Sequence, residues 1–77
     1  MTTLDIANAI NYEASGYEID IDNPCENEVK LLAFCKKNLD ELKAAGLQVK
    51  RGIGTSKKEV LISDSVFDLL EENDINL

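Results

Sequence analysis

The chain has 77 residues, of which 15 are acidic, eight are basic and none is histidine, for a formal net charge of −7. Apolar residues make up 44% and charged residues 30%, a globular balance that excludes a disordered chain. No apolar run approaches the roughly 20 residues of a membrane span and no signal-peptide pattern is present, so a cytoplasmic protein is expected.

Residues 3–14, TLDIANAINYEA, read as a helix capped by Thr3, with Ile6, Ala7, Ile10 and Ala14 as its apolar stripe. Ser15 and Gly16 stop it. Residues 17–22 then alternate strictly. Tyr17, Ile19 and Ile21 fall on one side and Glu18, Asp20 and Asp22 on the other, the pattern of a half-buried strand.

The strongest periodic signal runs from Asn23 to Gly46 and predicts one long helix over residues 24–45. Asn23 suits the N-cap, Pro24 the first helical position, and Glu26 can close a capping box. Val29, Leu32, Cys35, Leu39 and Leu42 recur at three- and four-residue steps, with Leu31 and Phe34 widening the stripe. Lys36, Lys37 and Lys43 match the negative end of the helix dipole, and Gly46 supplies a left-handed C′ residue. Ten residues apart on this helix, Cys25 and Cys35 stand roughly 15 Å from each other, beyond the reach of a disulfide. Both are expected as thiols.

Residues 47–53 and 58–63 read as two further strands, joined as a hairpin across Gly52 and Gly54. Ser63 or Asp64 caps a last helix over residues 65–73, with Val66, Leu69 and Leu70 inward. The expectation is a single small α/β (α+β) domain of order α-β-α-β-β-α. Its mixed three-stranded sheet is packed by the long central helix, and the strand–helix–strand unit is a right-handed parallel crossover. Val60 and Ile62 would point one way and Leu61 the other, so both sheet faces call for an apolar neighbour. Either the first helix or a second copy of the chain supplies it. A homodimer is a natural aid to a core of this size.

Charge is segregated along the chain. Residues 1–29 hold seven acids (Asp5, Glu13, Glu18, Asp20, Asp22, Glu26 and Glu28) and no base. Residues 30–58 hold all eight bases with only Asp40 and Glu41, and residues 59–77 hold six acids and no base. Such runs are usually solvated faces, and the acidic blocks can also fold back on the basic one, Lys50 against Asp20 for example. Left uncompensated, they make oppositely charged surfaces that steer partners.

Two candidate sites follow. Glu18, Asp20 and Asp22 share a strand face at a pitch of roughly 6.6 Å, close to the phosphate spacing of a nucleic-acid strand. Extended by Asp68, Glu71 and Glu72, this row would occupy a basic groove on a partner protein. The opposite site is the hairpin, where Lys50, Arg51, Lys57 and Lys58 would contact a nucleic-acid backbone as a wing does. Net negative charge and the lack of stacking aromatics weigh against it.

Other motifs fail on spacing. Residues 52–57, GIGTSK, lack the arrangement of a phosphate-binding loop, and two turn glycines explain them. Asp20-Ile21-Asp22-Asn23 opens like a calcium loop, but Pro24, Cys25 and Leu31 stand where a ligand, the glycine and the closing glutamate belong. Cys25 begins a helix, which favours a thiolate, but its neighbours are acidic. Without histidine the usual triads and most metal sites are excluded, and no carboxylate pair is set apart by its surroundings. No enzyme activity, cofactor or metal is expected.

The expected function is an acidic partner-binding or inhibitory module acting on a protein with a basic surface, one that itself holds nucleic acid. Small acidic domains of this kind include those of phages and other mobile elements. The alternatives are nucleic-acid binding through the hairpin and a homodimeric structural subunit.

Overall fold

The computed structural model describes residues 2–51 and 58–77, excluding the side chains of Arg51 and Lys58. Within the described residues, four helices and one two-stranded sheet form a small mixed domain: α1 (Thr3–Ser15), α2 (Glu26–Lys37), α3 (Leu39–Ala44), β1 (Gln48–Arg51), β2 (Lys58–Leu61) and α4 (Asp64–Glu72). Thr2, one residue earlier than expected, caps α1. Its Oγ1 accepts from Asp5 N–H at 3.3 Å, and Asp5 Oδ2 accepts from Thr2 N–H at 3.0 Å.

Residues 17–22 do not form a strand, and the parallel crossover that depended on it is absent. The backbone hydrogen bonds a neighbouring strand would supply come from two side chains of α1. Asn8 Oδ1 accepts from Ile19 N–H, and Asn11 Nδ2 donates to Tyr17 O, both at 2.9 Å. Ile19 alone is buried, whereas Tyr17 is 76% and Ile21 62% exposed. The segment then turns: Asp20 Oδ1 accepts from Asp22 N–H at 3.1 Å and Asp20 O from Asn23 N–H at 3.2 Å.

That turn takes up Asn23, so α2 begins later than its capping signals suggest. Cys25 is the N-cap, and Glu28 rather than Glu26 closes on it, its Oε1 accepting from Cys25 N–H at 3.2 Å. The expected long helix is two. Asn38, a poor helix former whose side chain competes with the backbone, leaves helical geometry at φ −125°, ψ 36°. The inward stripe of the pair is Leu31, Phe34, Cys35 and Leu42, with Leu32 and Leu39 half-buried and Val29 51% exposed.

α3 and α4 end in the same device. After α3, Gly46 N–H reaches Lys43 O and Leu47 N–H reaches Leu42 O, with Gly46 at φ 113°. After α4, Asp74 N–H reaches Glu71 O and Ile75 N–H reaches Leu70 O, with Asp74 at φ 64°. Both are Schellman closures, and each buries the residue beyond the cap beside the one that accepts its hydrogen bond. Ser63 precedes α4 but does not cap it with its side chain, because its Oγ donates to Ala45 O at 2.7 Å.

One core gathers Ile6, Ala7 and Ile10 of α1, Ile19, the α2–α3 stripe, Leu47, Val66 and Leu70 of α4, and Ile75. The sheet is an antiparallel hairpin in the register Gln48↔Leu61, Val49↔Val60, Lys50↔Glu59 and Arg51↔Lys58. Val60 and Ile62 pack partly on the core. The other face carries Gln48, Lys50, Glu59 and Leu61, all exposed, with Leu61 at 37%. Among the described residues nothing covers Leu61. The glycine turn expected at residues 52–54 lies outside the described residues.

Candidate partner-binding surface

Residues 16–25 position the first three candidate carboxylates. Gly16, at φ 79°, ends α1 by donating to Tyr12 O at 2.7 Å, and the chain then folds back along α1 under the grip of Asn8 and Asn11. With Ile19 inserted into the core, Glu18, Asp20 and Asp22 are left in solvent. They are exposed as expected, but not on a strand. The regular 6.6 Å row proposed to imitate a phosphate backbone is therefore replaced by an irregular arrangement around a turn. Asp68, Glu71 and Glu72 lie exposed on α4. Glu71 borders a cleft with Ala14, Asn76 and Leu77, and the latter two also border the cleft beside Glu18. Glu18 and Glu71 thus flank the same tail segment.

Among the described residues, no base pairs with these groups. Among the described residues, ion pairs are made by Lys30 alone, at 3.8 Å to Glu26 and 3.6 Å to Asp74. Lys30 Nζ also donates to Asp74 O at 3.4 Å, placing a cation at the negative end of α4. Lys50, expected near Asp20, is opposite Glu59 in the ladder, and Asp20 belongs to no strand. None of Glu18, Asp20, Asp22, Asp68, Glu71 and Glu72 has a cationic partner among the described residues.

Of the basic candidates, Lys50 is exposed, while Arg51 and Lys58 are placed by backbone alone as the last ladder pair. Lys57 lies outside the described residues. The exposed face of the hairpin carries Glu59 beside Lys50, so its charge is mixed rather than uniformly positive.

Sequence reasoning missed four contributors: Asn8 and Asn11, which set the path of residues 17–19, and Tyr12 and Tyr17, which stand exposed beside the acids. Two asparagines three residues apart inside a helix are the only signal that could have pointed to the first pair. Glu28, counted in the sequence among the acids of residues 1–29, closes on the N-cap of α2 instead. Its carboxyl is held below the usual range by the Cys25 side chain first, then by the Cys25 backbone N–H, with a smaller pull from the Asp20 backbone. Glu28 Oε2 is nearly closed to solvent and has no partner within hydrogen-bond distance.

Both cysteines are free thiols, Cys25 exposed and Cys35 buried, and burial pushes the Cys35 thiol up to about 11. Among the described residues no group of three or more side chains is arranged to hold a metal ion, and no helix is long and apolar enough to cross a membrane. No protein-family model matches the chain, and comparison with curated proteins and with solved structures finds no similar one.

Proposed function

We propose that the chain is a non-catalytic protein-binding module that presents carboxylates to a basic surface on a partner protein. What supports this is the set of six exposed acids with no compensating cation among the described residues, on a chain of net charge −7. An unpaired acidic surface raises the local concentration of positively charged partners and speeds their docking. The partner surface is one that also attracts nucleic acid, because the same positive charge serves both. Inhibition by occupancy follows wherever the two compete.

The test is retention of lysate proteins on the immobilised chain, eluted by rising salt and identified by mass spectrometry. A nucleic-acid-handling protein should elute in the salt step and be displaced by free DNA. A variant with Glu18, Glu71 and Glu72 as Gln and Asp20, Asp22 and Asp68 as Asn should lose it. Equal retention by that variant overturns the proposal. Retention of nucleic acid alone would instead favour the hairpin, and a salt-insensitive dimer would favour the exposed apolar surface at Leu61.

A further inference from the structure

Glu18 stands on the ridge between two clefts of about 360 Å³ each. On one side are Asp5, Asn8 and Tyr12. On the other are Tyr17, Cys25, Asn27, Glu28 and Asn76. Each cleft therefore combines two carboxylate-bearing residues with a tyrosine, and no described base borders either. Both tyrosines are open to solvent, Tyr12 at 59% and Tyr17 at 76% exposure.

This combination selects among cations. A carboxylate alone attracts lysine and arginine alike, but a planar guanidinium also stacks on an aromatic face and donates two parallel hydrogen bonds to a carboxylate. Exposed tyrosines are common anchors where one protein docks on another. Glu18 carries no ion pair and no hydrogen bond within the described residues. On α4 the acids Asp68 and Glu72 border none of the described clefts, and Glu71 borders one that has no tyrosine.

We propose that the two clefts flanking Glu18 are sockets for arginine side chains on a basic segment of the partner protein. The guanidinium groups lie against Tyr12 and Tyr17, and Glu18 is the shared acceptor. This rests on the acidic-module reading above and narrows it, since α4 then contributes field but no socket.

The experiment is an amide-resolved NMR titration of the full chain with capped hexa-arginine, and with capped hexalysine as control. Saturable shifts are expected at Tyr12, Tyr17, Glu18 and Glu28, with hexalysine binding several-fold more weakly. Glu18→Gln should weaken hexa-arginine by about tenfold, the scale of one charge-assisted contact. Tyr17→Ala should weaken it more than Tyr17→Phe does, and Glu71→Gln with Glu72→Gln should change it by less than about twofold, as for screened charges that border neither cleft.

Equal affinity for the two peptides overturns the proposal, because charge alone is then acting. So does equal weakening by the α4 variant, or shifts confined to α4. Absence of saturable binding also overturns it. The broader reading is judged separately, by whether the six-acid variant still retains its partner.

Discussion

Gly16 and Gly46 both sit at positive φ after a helix, yet they are not equivalent. A Cβ at Gly16 would meet nothing within 4 Å, whereas one at Gly46 would collide with Ser63 Oγ and come within 3.0 Å of its Cβ. Gly16→Ala should cost about 1–2 kcal/mol, the left-handed penalty alone. Gly46→Ala should cost about 1–3 kcal/mol more, because Ser63 is held by Ala45 O and cannot withdraw without losing that bond. Urea denaturation of the two variants checks the order.

Cys35 makes a pH prediction at the same scale. Its folded value, about 11, lies above the ordinary 9.0, so the buried neutral thiol contributes stability in full below pH 9. That contribution is lost as pH rises from 9 through 11. Thermal melts of the native chain should fall over this window, and those of Cys35→Ala should fall less. In the native state at neutral pH a thiol reagent should modify Cys25 in a fast phase and Cys35 only at the rate of opening.

Among the elements, α1 and α4 were legible from their apolar stripes. Ile6, Ala7 and Ile10 of α1, and Val66 and Leu70 of α4, are buried as their spacing requires. Residues 17–22 misled because a two-residue period describes any extended segment anchored by one side chain. Only Ile19 needed burial, and no local feature marked α1 asparagines as substitutes for a strand. The break at Asn38 was hidden for a related reason, since Cys35 and Leu42 face the core whether or not the helix continues between them. For the surface, the exposure of the six acids was legible and their arrangement was not, because it follows from that same unformed strand. Asn8→Ala should therefore accelerate hydrogen exchange at Ile19 N–H while leaving the amides of α2 and α4 protected. Uniform acceleration would mean that residues 17–19 open only with the whole fold.

At the scale of the molecule, excess negative charge acts on the fold itself. Lys30 is the one described cation paired to acids, and the net charge of −7 leaves the fold to bear its own repulsion. Raising salt from about 0.01 M to 0.5 M shortens the Debye length from about 30 Å to about 4 Å and should raise the melting temperature. The same change should abolish partner binding. Opposite responses of stability and affinity to one variable are the signature of charge held for recognition rather than for folding.

The grip of Asn8 and Asn11 on the backbone of residues 17–19 has a consequence for how this surface can change over generations. Those two bonds engage main-chain atoms, and Ile19 is the one side chain of that stretch committed to the interior. Positions 17, 18, 21 and 22 contribute no side-chain hydrogen bond to the described structure, and all four are exposed. Their identities can drift, under selection by a partner if the proposed binding role holds, while α1 and the core keep the path of the chain constant. A lineage in conflict with a changing target would find here a place where new specificities arise by single substitutions, each nearly silent in stability.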